Sequence, residues 1–245
     1  MFRRLVGLAL LALVLAVGAT PAQAAPIYQG AYITVADMPG RGTTSGGAFW
    51  IAPAFGSVFD PFLSFCLQLN EAIVPNGTTV YYVGAITTWV EDETFLDSKG
   101  TIPDEPTGKD PLDVLTAWIY RMYLMEDWVA LGIDGAVFTG DRRGNAVQNA
   151  VWCIEEEGRG CSSQDAQLVI NKAKAANPVS LEGVMALNLF KTTSIVTDQG
   201  MVYRPTDQPA QDLLSYPDPI PEPASMLLFG SGLAALAGMV RRRKR

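Results

Sequence analysis

The hydrophobic pattern changes character twice along the chain. Residues 27–100 carry short apolar runs, "YITV", "GGAFWIAP", "LSFCLQL" and "TTVYYVGAITTWV", separated by Gly, Pro and Asn. Runs of that length, rich in β-branched and aromatic residues and bounded by turn formers, predict β-strands. "PNGT" at 75–78 reads as a turn, because Asn and Gly both tolerate positive φ. From about 110 to 176 the period becomes helical. Leu112, Leu115, Ile119, Met122 and Met125 recur behind Asp110 as an N-cap and Pro111 at the first helical position. A second helix is predicted over about 145–157, with Val147, Val151 and Ile154 on one face and Gln148 and Trp152 one turn apart beside it. A third runs from a Ser163 cap to Ala175, stopped by Asn177-Pro178. Residues 180–216 return to strand character in "GVMALNLF", "SIVT", "GMVYR" and "QDLLSY".

The order β-rich, helical, β-rich predicts an α+β fold. The expectation is a β-sandwich or barrel with a helical subdomain inserted at about 110–176, folded as one exported domain over 25–216. "YPDPIPEP" at 216–223 is a proline-rich spacer, so 217–223 is read as a linker. No internal repeat is visible.

The two ends change the picture. "MFRR" is a basic n-region, "LVGLALLALVLAVGA" an apolar h-region and Ala22–Ala24 a small-residue cleavage site, which together predict a signal peptide over 1–24. Residues 224–240 are almost wholly apolar, at the lower length limit for a transmembrane helix. Arg241, Arg242, Arg243, Lys244 and Arg245 follow and are expected to stay cytoplasmic. On these grounds the tail is a membrane anchor with an acidic domain outside. Pro221-Glu222-Pro223, the apolar segment and the Arg-rich end, in that order, resemble the PEP-CTERM sorting signal of Gram-negative bacteria. The resemblance implies exosortase, a membrane-embedded cysteine transpeptidase, as processing partner. It also implies transient anchoring, then a place on the cell surface or in the exopolysaccharide matrix of a biofilm.

Charge narrows the function classes. The 245 residues carry a formal net charge of −7. Between Ala25 and Pro217 there are 11 basic and 23 acidic residues, a net of −12. A field of that sign repels nucleic acid. There is no histidine, which removes the commonest general base and metal ligand. No Gly-rich phosphate loop, serine nucleophile elbow or metal-ligand cluster is present. No catalytic residue, metal ligand or cofactor is therefore assigned, and the chain is not expected to be an enzyme. "EDE" at 91–93 and "EEE" at 155–157 have the look of cation sites or paired acid/base carboxylates, but solvated acidic turns and helix ends are the expected reading.

Three cysteines remain. Cys153 and Cys161 enclose the short loop "IEEEGRG", whose glycines let it bend back, and are the natural disulfide in an exported protein. Cys66 is then left over, in the apolar pattern "LSFCLQL", where the plain reading is a buried free thiol. A second segment sharpens it. "AVQNAVW" at 146–152 is similar to the Gln-x-Ala-(Ile/Val)-Trp motif of bacterial surface thioester domains, which also carry an aromatic-Cys-apolar motif like Phe65-Cys66-Leu67 in an early strand. "LTAWIYRMYL" at 115–124 fits the aromatic helix that precedes the Gln motif. That family often has Thr before the Gln, where this chain has Val147. The resemblance implies a side-chain thioester between Cys66 and Gln148, walled off by Phe65, Leu67, Val151 and Trp152, and hence covalent attachment to surface amines or adhesion. The alternatives are a non-reactive structural β-sandwich module of the exopolysaccharide matrix, with Gln148 simply hydrogen-bonded inside the helical layer, and a polysaccharide-acting hydrolase.

Overall fold

A computed structural model describes residues 26–43, 46–69, 71–91, 109–155, 159–198 and 200–216. The predicted signal peptide, the Pro221-Glu222-Pro223 motif, the apolar segment at 224–240 and Arg241–Arg245 lie outside the described residues. Among those described, no helix is long and apolar enough to cross a membrane.

The chain is α+β and β-rich. Strands β1 (Tyr32–Thr43), β2 (Gly46–Ala54), β3 (Phe62–Ser64), β4 (Asn76–Thr87), β7 (Met185–Thr197) and β8 (Gly200–Ser215) form one sheet in the order β3-β2-β1-β4-β7-β8. Every pairing in it is antiparallel. The sheet curls until its edges meet. Just past β3, Cys66 bridges to Leu213 of β8. There Leu67 N–H donates to Asp212 O at 2.9 Å and Leu214 N–H to Phe65 O at 3.0 Å. Of the two architectures the sequence predicts, this is the barrel. Closure leaves fewer unpaired edges. A separate small ribbon pairs β5 (Trp89–Glu91) with β6 (Lys109–Pro111).

The helices come between β6 and β7: α1 (Val114–Leu124), α2 (Trp128–Leu131), α3 (Gly140–Ile154) and α4 (Gln164–Ala176). The first begins later than the sequence pattern predicts. Asp110 and Pro111 belong to β6, and Asp113 is the cap, its side chain accepting from Leu115 N–H at 2.6 Å. The helix α3 begins earlier than predicted, at Gly140 rather than near Asn145. Two of its glycines let it lie directly on the tip of β1: a Cβ at Gly140 would fall 1.9 Å from Gly40 O, and one at Gly144 1.6 Å from Arg41 O. Ser163 caps α4, and Asn177 ends it in the left-handed conformation.

The period-2 alternation of the strands sorts the core into two layers. Phe49, Cys66, Leu187 and Leu213 pack with Ile33, Val35, Ile51 and Val83 on one face of the curled sheet. Their neighbours Ala48, Phe65, Leu67, Ala186 and Leu214 pack on the other, with Ile119, Tyr120, Val147, Val151 and Val169 of the helices. Trp152 is the helical residue that crosses into the first layer.

Candidate functional site

The helix α3 brings Gln148 to the seam where the barrel closes. Cys66 is flanked by two residues, Phe65 and Leu67, whose main-chain groups pair with β8. In an extended strand alternate residues turn their N–H and C=O to opposite sides, so the groups of Cys66 face away from β8 and need another partner. Gln148 supplies it. Cys66 N–H donates to Gln148 Oε1 at 2.9 Å, and Gln148 Nε2 donates to Cys66 O at 2.7 Å. Cys66 is 2% exposed and Gln148 wholly buried. The two hydrogen bonds hold the amide plane along the Cys66 backbone, next to the side chain that carries the thiol. Burial pushes the Cys66 thiol well above its ordinary range, so it stays protonated there.

A cleft of about 170 Å³ opens beside Cys66. Phe49, Cys66, Glu71, Trp152, Arg159 and Gln211 contribute to its lining. Trp152 lies one helical turn after Gln148, on the same face of α3. Its ring is covered by the Arg159 guanidinium at 5.1 Å, and its buried indole N–H has no hydrogen-bond partner. Of the residues the sequence offered as a wall around Cys66, Trp152 stands in the same layer, whereas Phe65, Leu67 and Val151 belong to the opposite one. The alternation of strand residues explains the difference: neighbours of Cys66 in sequence cannot share its face.

Cys153 and Cys161 are joined by a disulfide with Cα atoms 4.9 Å apart. Gln167 Nε2 donates to Cys161 O at 2.9 Å, tying the loop to α4. Gly160, at φ +89°, lies against the carbonyl of Asn149, where a Cβ would fall 2.0 Å from the oxygen. The loop is thus pinned to α3 at the height of Trp152, and this places Arg159.

One acidic residue departs from the sequence reading. Glu155, read there as a solvated helix end, is 6% exposed. Burial raises its carboxyl to about 8; nearby Asp110 and Asp113 push the same way, against the Thr116 hydroxyl and the Asp113 N–H, which donates to Glu155 Oε1 at 3.3 Å. Nothing in the triplet "EEE" marks Glu155 for burial, and its other two residues lie outside the described ones. Arg159 and Glu71 were likewise illegible as cleft residues, since each stands in a loop without periodicity. Among the described residues, no three His, Cys, Asp or Glu side chains converge as a metal site would require.

Comparison with curated proteins finds no match. Among solved structures, the N-terminal thioester domain of a surface protein from Clostridium perfringens is similar with a TM-score of 0.42 at 17% identity, covering 76% of this chain and 97% of that one. Residues 219–244 match the PEP-CTERM protein-sorting motif, which marks the chain as an exported protein, anchored in the membrane until exosortase cuts it and thereafter at the cell surface.

Proposed function

We propose that the exported domain forms an internal thioester between Cys66 and Gln148, and uses it to attach covalently to an amine on a surface or matrix partner. The observation that carries this reading is the reciprocal hydrogen bonding of the Gln148 amide with the Cys66 main chain. It fixes which amide atom is which. Oε1 faces an N–H, a donor placed where negative charge grows when sulfur attacks the carbonyl carbon. The bond that forms is Cys66 Sγ to Gln148 Cδ, and the bond that breaks is Cδ to Nε2. The thiol proton leaves with the nitrogen as ammonia, and no oxidant or reductant is involved.

A thioester is a good acyl donor because thiolate leaves more readily than an amine. The buried position of the pair supports its persistence, since water reaches it poorly. An incoming amine adds to Cδ, the Cδ–Sγ bond breaks, and the proton shed by the amine returns to sulfur. The lining that an incoming amine would meet carries both a carboxylate, Glu71, and a guanidinium, Arg159. The bond is spent once, so the domain is an attachment device rather than a turning-over enzyme.

The same hydrogen bonds also favour a second reading. A Gln148 amide satisfied at both ends is a good structural tie across the barrel seam, as a non-reactive module of an extracellular matrix would need. Intact mass of the processed protein separates the two. A thioester makes it one ammonia lighter than the disulfide-bonded sequence, and methylamine then adds at Gln148 and frees the Cys66 thiol. A full sequence mass with a Cys66 thiol free from the start leaves the structural module.

A further inference from the structure

A second cleft, of about 130 Å³, lies where the tip of β1 meets α1 and the start of α3. Arg41, Arg143, Tyr123, Trp128 and Glu126 are among the residues that line it. Two guanidiniums converge on one indole: Arg143 lies 4.8 Å from the Trp128 ring centre and Arg41 6.0 Å from it. Arg41 is also 5.9 Å from the ring of Tyr123. Tyr123 is 1% exposed, and its hydroxyl sits beside Arg41, with Glu126 and Arg143 also close enough to act on it electrostatically, but makes no hydrogen bond of regular geometry. The cleft thus holds two cations and a tyrosine hydroxyl; Arg143 gives its Nε–H to Ile133 O at 3.2 Å, and the set suits a compact anion.

One residue already plays that anion. Glu126 Oε1 accepts from Arg41 Nη2 at 2.5 Å. Glu126 closes α1 in a paired C-terminal motif, its N–H donating to Tyr123 O at 3.0 Å and Asp127 N–H to Met122 O at 2.9 Å. That motif places the residue in the left-handed region, here at φ +54°, where glycine is the unstrained choice. Glycine would close the helix with less strain. What glutamate adds is a carboxylate on Arg41, on a side chain that is 56% exposed.

We propose that this cleft is a carboxylate-binding site and that Glu126 occupies it until a carboxylate-bearing ligand displaces it. One ligand oxygen takes the place of Glu126 Oε1 on Arg41. The second faces the Tyr123 hydroxyl and Arg143. The planar fork of arginine matches a carboxylate better than it matches a tetrahedral anion.

The test is a titration of the intact exported protein with glucuronate and with acetate at fixed ionic strength, followed by NMR of the Trp indole and Arg Nε–H signals. Both acids should shift the Trp128 and Arg41 signals saturably, while glucose leaves them unmoved and sulfate is weaker. Glu126→Gln removes the competitor and should bind about two- to fivefold tighter, the range expected for releasing one partly exposed ion pair. Arg41→Lys keeps the charge and the fold but loses the fork, and should bind more weakly. Cys66→Ala should bind as the wild type does. An absence of saturable shifts in both wild type and Glu126→Gln, an unchanged affinity in Glu126→Gln, or an equal response to sulfate would overturn the proposal.

Discussion

The amide of Gln148 and the main chain of Cys66 hydrogen-bond to each other in both directions, at 2.9 Å and 2.7 Å. The relationship joins the middle of α3 to the residue at which the barrel closes. It therefore acts on two levels. It completes the backbone pairing at the seam, and it brings the Gln148 side chain to the residue that carries the buried thiol.

The two roles separate by mutation. Gln148→Ala strips a buried N–H and a buried C=O of their partners, each worth ~1–3 kcal/mol when left unsatisfied. Cys66→Ala removes one sulfur from the core and leaves only a small cavity. Any covalent link is lost equally in both. Gln148→Ala should therefore be less stable than Cys66→Ala by roughly 2 kcal/mol in urea denaturation. Equal stability would show that the hydrogen bonds carry nothing at the seam.

The approach of α3 to β1 makes a second stability test. A Cβ at residue 144 would fall 1.6 Å from Arg41 O, a backbone atom that cannot swing aside. Gly144→Ala gains helix propensity of ~1 kcal/mol, yet overpacking costs ~1–3 kcal/mol or more. A lowered melting temperature is expected, and a raised one would mean that the helix can lift off the strand freely.

Much of this was legible in the sequence, for identifiable reasons. The barrel strands carry β-branched and aromatic runs of strand length, and Ser163 and Asn177 bracket α4 with chemistry that only helix ends use. Cys66 and Gln148 stood out through two short motifs. Other features depend on contacts between distant segments. Asp110 looks like a cap, but Thr88 O accepts the Leu112 N–H at 2.9 Å and the segment becomes strand β6, passing the cap to Asp113. The extension of α3 back to Gly140 is paid for by packing against β1, which overrides the poor helix propensity of its two glycines. The burial of Glu155 and the cluster around Arg41 have no local signal at all.

The tail governs sorting. Its PEP-CTERM motif spans 219–244. Glu222→Ala and deletion of 241–245 should each leave uncut precursor in the membrane fraction, read by immunoblotting of fractionated cells. Normal processing of both variants would remove the assignment.

Glu155 makes stability depend on pH. Its carboxyl is raised from 4.5 to about 8 in the folded chain, first by burial and then by Asp110 and Asp113. Its place at the C-terminal end of α3 adds to the cost of the anion, because the helix dipole is negative there. The folded state therefore binds this proton more tightly than the unfolded chain does. The resulting stabilisation is fully present below pH 4.5 and lost as the pH rises through about 8. Glu155→Gln keeps the neutral shape and removes the titration. Unfolding free energy measured across that window should fall more steeply for the wild type than for the variant, and parallel curves would rule the effect out.

The disulfide should control access to Cys66 through Arg159. Arg159 belongs to the loop closed by Cys153 and Cys161, and its guanidinium lies over Trp152 in the wall of the Cys66 cleft. Gly160 lets that loop lie directly against Asn149. Replacing both cysteines by serine frees the loop in the unfolded chain and should cost ~2–3 kcal/mol for a closure this short. The same change lets Arg159 leave the indole, because a single ring contact of this kind is worth only ~0.5–1 kcal/mol at an exposed site. Substitution is preferable to a reducing agent, since added thiols would themselves attack a thioester. In the Cys153→Ser/Cys161→Ser protein, methylamine should react at Gln148 faster than in the wild type at a temperature where both are folded. An unchanged rate, with the expected loss of stability, would confine the disulfide to holding α3 and α4 together and leave Trp152 as the barrier on its own.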